Sequence, residues 1–182
     1  MKWSRVLALV LAAAMAVCMA GCGSSDDGVA DTSSDYIEAV PGGEVDVSNV
    51  AGLDTAARMS CVAQDGAVYV AFANIQNKST DYFHIEGDTI TVVCRTTSDA
   101  PATPTYRLSL WMLNENNKAQ YVNGCMALVD ADDTCYTCTF TGLDPAKEYK
   151  LTVGYASASY YITGVMKVSP ATDTETAEEA KS

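Results

Sequence analysis

From Met59 onward, apolar and polar residues alternate with a period of two, the spacing of strands that bury one face. Met59 to Ala63 and Ala67 to Ile75 flank Gln64-Asp65-Gly66, which predicts a hairpin with an Asp-Gly turn. Thr89 to Thr96 follows the Gly87-Asp88 turn, with Ile90, Val92 and Cys94 on one face. Tyr106, Leu108, Leu110 and Met112 alternate with Arg107, Ser109 and Trp111. A turn over Asn114 to Lys118 leads to Tyr121-Val122 and to Met126 through Val129, and Tyr136, Cys138 and Phe140 then alternate with threonines. Tyr149, Leu151, Val153 and Tyr155 alternate with Glu148, Lys150, Thr152 and Gly154, the clearest such stretch, and Tyr160 to Val168 is the last. No segment keeps a helical period for three turns. Seven to eight short strands separated by turns predict an all-β protein, an antiparallel sandwich over residues 58–169.

The two ends have a different pattern. Lys2 and Arg5 precede an apolar run from Val6 to Ala20, fifteen residues and too short for a comfortable transmembrane helix. It ends in Met19-Ala20-Gly21-Cys22. This resembles the bacterial lipobox, in which small residues let a peptidase grip extended backbone and the following thiol carries a thioether-linked diacylglycerol. The resemblance implies a signal peptide over 1–21, lipidation of Cys22 and anchoring of the mature chain by acyl chains such as palmitate, stable where more than one chain is attached. Residues 22–57, with Pro41-Gly42-Gly43 in the middle, read as a flexible acidic tether, and residues 170–182 as a disordered acidic tail.

Charge narrows the partners. All 23 acidic residues follow the signal segment, against 11 basic residues less Lys2 and Arg5, which makes the mature formal charge −14. Such a chain is repelled by phosphate backbones, which argues against nucleic acid. Export permits disulfides, but Cys61, Cys94, Cys125, Cys135 and Cys138 are an odd set beyond Cys22. Cys135 and Cys138 form a CxxC on strand-like sequence, where a spacing of three sends the thiols to opposite faces rather than onto one metal. Cys125 and Cys135, flanking an acidic turn, form one candidate disulfide.

Phe140-Thr-Gly142-Leu143-Asp-Pro145-Ala-Lys-Glu-Tyr149-Lys-Leu151-Thr-Val153 resembles the E-to-F corner of fibronectin type III domains, and Gly87 to Arg95 resembles strand B of immunoglobulin-like domains. The resemblance implies a tyrosine corner at Tyr149, its ring in the core and its hydroxyl on local backbone. Leu151 stands where the immunoglobulin inter-sheet cysteine would be, and Cys94 where fibronectin strand B carries tryptophan. A jelly-roll sandwich is therefore the second architecture. In the fibronectin-like order Cys94 and Cys138 face inward on neighbouring strands, as a cross-strand disulfide or as two small buried hydrophobes. The same order puts strands C, F and G in one sheet, with Arg107, Ser109, Trp111, Lys150, Thr152, Tyr161 and Thr163 outward. That aromatic, hydroxyl and basic face is the candidate binding site, unless the 59–75 hairpin covers it.

Catalytic signatures are sparse. The one histidine, His84, sits in Tyr-Phe-His-Ile, no serine lies in Gly-x-Ser-x-Gly, and there is no phosphate loop or zinc-protease motif. Asp130, Asp132 and Asp133 share a turn but lack the glycine and distal glutamate of a calcium loop. The sequence thus predicts a non-enzymatic binding or adhesion module, lipid-anchored on the extracytoplasmic side of a bacterial envelope membrane. Its partner is a protein or glycan, and no cofactor or metal is expected. The alternatives are a structural or assembly subunit of an envelope complex and, behind that, a cryptic hydrolase.

Overall fold

The computed structural model describes residues 36–173. The export segment, Cys22 and residues 174–182 lie outside that range. The strands are β1 (Tyr36–Ile37), β2 (Val40–Pro41), β3 (Ser60–Gln64), β4 (Ala67–Ile75), β5 (Asn77–Ser79), β6 (Phe83–Ile85), β7 (Thr89–Ser98), β8 (Thr105–Leu113), β9 (Ala119–Asp130), β10 (Asp132–Thr141), β11 (Tyr149–Gly154), β12 (Ile162–Ser169) and β13 (Ala171–Asp173). They form two facing sheets, one ordered β2-β10-β7-β12-β4-β3 and the other β1-β9-β8-β11-β6-β13, with β5 also on β11.

The period-two segments become strands because their alternate apolar residues close between the sheets. Tyr106, Tyr149, Phe72, Phe83 and Phe140 are fully buried there. The Asp65-Gly66 turn has positive φ at both residues (52° and 72°), as the tight turn of the β3–β4 hairpin requires. Tyr149 makes the expected corner. Its hydroxyl accepts from the Asp144 N–H at 2.8 Å and donates to the Asp144 carbonyl at 3.0 Å.

The connectivity, however, is that of the jelly roll and not of the fibronectin sandwich. Counting from β4, with β5 and β6 as two halves of one strand, the sheets run 1-8-3-6 and 2-7-4-5. The difference lies after β11. Residues 155–161 cross to the opposite sheet, where β12 inserts between β7 and β4. The crossing is held by the Tyr155 N–H, the Ser98 hydroxyl and the Asp99 carboxylate, bonded to the Gln76 carbonyl, the Tyr161 carbonyl and the Tyr161 N–H. Gly164 makes the insertion possible, since a Cβ there would lie 2.6 Å from the Arg95 carbonyl and 2.9 Å from the Phe72 ring.

The tether expectation over residues 22–57 is corrected for its second half. β1 pairs in parallel with β9 and β2 pairs with β10, so Tyr36 to Pro41 clip the two sheets together at one edge. Residues 42–57 then run as a strap across the outer face of the six-stranded sheet. Gly43, at φ 90°, lies so close that a Cβ would come within 2.6 Å of the Thr137 hydroxyl, Val45 is buried, and the Ala57 carbonyl accepts from the Ala73 N–H at 3.0 Å. Small residues that read as flexible are here the means of close approach. The tail expectation shifts too, because Ala171–Asp173 pair with β6.

Candidate functional site

The sheet β9-β8-β11-β5 leaves its outer face free of the strap, and the β3–β4 hairpin belongs to the other sheet. Register arranges that face in three rows about 7 Å apart, each two residues further along β8 and β11. Leu128, Arg107 and Gly154 are level in the first. Met126, Ser109, Thr152 and Ser79 form the second, with Tyr36 beside Met126. Tyr121, Trp111 and Lys150 form the third, and Lys150 extends over the Tyr82 ring, 5.0 Å from its centroid.

The middle row sets the geometry. The Ser109 hydroxyl accepts from the Trp111 indole N–H at 3.1 Å and donates to the Thr152 carbonyl at 3.5 Å. The indole is thereby fixed in its plane, and Tyr121 packs edge-on against it with ring centroids 5.8 Å apart. Thr152 and Ser79 share a hydroxyl bond of 2.8 Å across the strand pair. Thr80, buried where β5 gives way to β6, bonds both backbone groups of Leu151, so β11 stays straight beneath the face. Leu128 and Tyr36 are exposed at the β9 edge.

The face joins Arg107, Trp111, Lys150 and Thr152 as expected. It excludes Tyr161, and that member of the predicted set is corrected. Tyr161 directly precedes β12, so it and Thr163 went to the opposite sheet when β12 did. Tyr36, Tyr82 and Tyr121 were missed. Tyr121 had a signal, a tyrosine across the Asn114–Lys118 turn from Trp111, whereas Tyr36 lay in a stretch read as tether.

No family model matches this chain, and no curated protein does. A solved structure described as "CBM4 structure and function" is similar, at 16% identity and a TM-score of 0.36, over 67% of this chain and 79% of that one. The strand order defines the fold independently of this likeness.

Neither predicted disulfide is formed, and the five cysteines among the described residues are thiols. Cys94 and Cys138 do face inward on β7 and β10, as small buried groups. Their shared hydrogen bond and burial push the Cys138 thiol far up, so it stays protonated. Cys125 points into the core from β9, while Cys135 pairs with Arg95 on the outer side of β10, which puts the two beyond bridging. The acidic turn also diverges: Asp130 takes the Thr105 hydroxyl, Asp132 the Thr134 N–H, and Asp133 pairs with Arg95 at 2.9 Å. No three carboxylate, thiol or imidazole groups among the described residues converge as a metal site. His84 Nε2 lies 3.7 Å from Glu148, at the β6 end of the outer face.

Proposed function

We propose that this chain is a lipid-anchored extracytoplasmic binding module that holds a glycan on the outer face of β9, β8, β11 and β5. The observation that carries the reading is the three-row face, with an oriented indole, flanking tyrosines and hydroxyl and cationic groups within one or two rows. Aromatic rings give sugars a flat apolar platform, and side-chain donors beside them fix orientation. The outermost strands, which an assembly subunit would offer to a partner strand, are here short: β1 and β2 have two residues each, β13 has three and β3 five. β1 covers part of β9, and the Ser60 hydroxyl and Gln64 amide of β3 take the strap's Asp54 and Ala51 N–H groups. Catalysis has no part in this reading, and the anchor is Cys22.

The two tryptophans are Trp3 and Trp111, so cleavage before Cys22 leaves Trp111 as the single fluorophore of its kind. Titrating the processed protein with a panel of neutral and charged oligosaccharides, while following indole emission, tests the site directly. Binding is expected to shift emission in the parent protein and, followed by calorimetric heat, to weaken at least about tenfold in Trp111→Ala and to be unaffected by Tyr161→Ala on the other sheet. Unchanged emission and no calorimetric heat with every sugar would refute the reading. Intact mass of wild type and Cys22→Ala tests the anchor, an acyl increment lost in the variant being the expected result.

A further inference from the structure

We infer that the glycan is anionic, and that its carboxylate sits on Arg107. The inference rests on the glycan reading above and specifies which class of sugar the face takes.

Arg107 is exposed on β8 and, among the described residues, makes no ion pair and no side-chain hydrogen bond. That is unusual for a cation on a chain with 23 acidic residues and 11 basic ones. The ion pairs among the described residues are His84 with Glu148 and Arg95 with Asp133. Opposite Arg107 stands Gly154, and a Cβ built there would lie 3.7 Å from the guanidinium nitrogens. The guanidinium therefore rests along the sheet with its donor fork open to solvent. Such a fork matches a carboxylate bidentately.

Lys150 is the second cation, two rows away, about 14 Å along the strand direction. Its ammonium lies over Tyr82 and has no carboxylate partner among the described residues. Glu148 and Asp130, the carboxylates in nearest register, stand at the ends of the face and are engaged by His84 and by the Thr105 hydroxyl. Two unpaired cations thus stand in the first and third rows, with Thr152 in the row between them and Trp111 level with Lys150, a locally cationic face on a chain of net negative charge. The span is long enough for several sugar units, and an acidic repeat along a chain of sugars fits that spacing.

An acidic peptide is the competing class with the same charge. It is disfavoured because β8 lies between β9 and β11, and β11 between β8 and β5, so the backbone beneath the face is already paired. An extended peptide would gain no main-chain bonds there, whereas a glycan needs only rings and side-chain donors.

The test is calorimetric titration of the full-length chain in mild detergent with hexasaccharides of polygalacturonate, alginate and hyaluronan. Each is compared with its carboxyl-reduced neutral counterpart. At least one acidic hexasaccharide should bind about tenfold or more tighter than its neutral form. That margin should shrink as NaCl rises from about 20 to about 500 mM. Arg107→Gln should reduce the acidic affinity about tenfold more than the neutral one, and Arg107→Lys should restore only part of it. Neutral forms binding as tightly as acidic ones, with Trp111→Ala still abolishing both, would overturn this inference and leave the glycan reading standing. No binding in either series would take both down. Competition by a glutamate decamer as effective as the best acidic hexasaccharide would also overturn it, since charge rather than sugar would then be read.

Discussion

Replacing Tyr149 with phenylalanine removes one oxygen from a ring that stays in place, so no cavity opens and the change isolates the corner's hydrogen bonds. Those are the 2.8 Å bond from the Asp144 N–H and the 3.0 Å bond to the Asp144 carbonyl. At about 0.5–1.5 kcal/mol net for each, the loss is about 1–3 kcal/mol. Water can reach the exposed Asp144 backbone and replace part of it, which keeps the figure at that level rather than above. For a domain of this size the melting temperature should fall by about 3–9 °C. Urea titration should show a lower midpoint with an unchanged m value. Burial raises the Tyr149 pKa, so the folded phenol holds its proton longer than the unfolded one. The contribution is therefore constant at neutral pH and declines only above about pH 10, where the unfolded chain ionises first. Tyr136→Phe is the matched control, losing a 3.2 Å bond to the exposed Asp132 carboxylate and expected to cost below about 1 kcal/mol. If Tyr149→Phe were no more costly than Tyr136→Phe, the corner would be packing alone and the reasoning would fail.

Gly164→Ala should destabilise by about 1–3 kcal/mol or more, because backbone on one side and the Phe72 ring on the other leave a methyl no room; a melting temperature equal to wild type would show that β12 can shift. Gly43→Ala, at positive φ and against Thr137, should loosen the strap, read as faster amide exchange at Ala73, whose N–H bonds the Ala57 carbonyl. Cys61 borders an open cleft of about 470 Å³ with Asp81 and Phe83, yet burial pushes its thiol up to about 11. At pH 8 about one part in a thousand is thiolate, so alkylation followed by mass spectrometry should label Cys61 far more slowly in the native protein than in urea; equal rates would contradict the assigned burial.

How much of this was legible in the sequence follows from the range of the forces involved. Alternation is local, and it gave the β3–β4 hairpin, β7, β8, β11 and the outward parity of Trp111. The tyrosine corner is equally local, its partners five positions apart, which is why it formed here although its surroundings are not those of a fibronectin domain. Sheet membership is not local. Whether β12 returns beside β11 or crosses over depends on the slot between β7 and β4 and on Gly164, a residue that alone reads as a strand weakener. Misplacing β12 displaced Tyr161 from the site while leaving Arg107, Trp111, Lys150 and Thr152 together. Tyr36 and the strap were invisible for a related reason. Their glycines and small residues have the composition of a linker, and only the partner surface of β10 and β7 shows why a side chain had to be absent.

That clip and strap also have a mechanical meaning. Tyr36 to Ala57 are the first 22 described residues, and a pull on the chain from the N-terminal side meets them before any long strand. β1 and β2 contribute two paired residues each, so they should peel in sequence at low load. Peeled, the segment spans up to about 75 Å, while β3 to β12 stay closed around their core. The module would then give slack before it yields, with the outer face of β8 and β11 keeping its shape while the leash pays out.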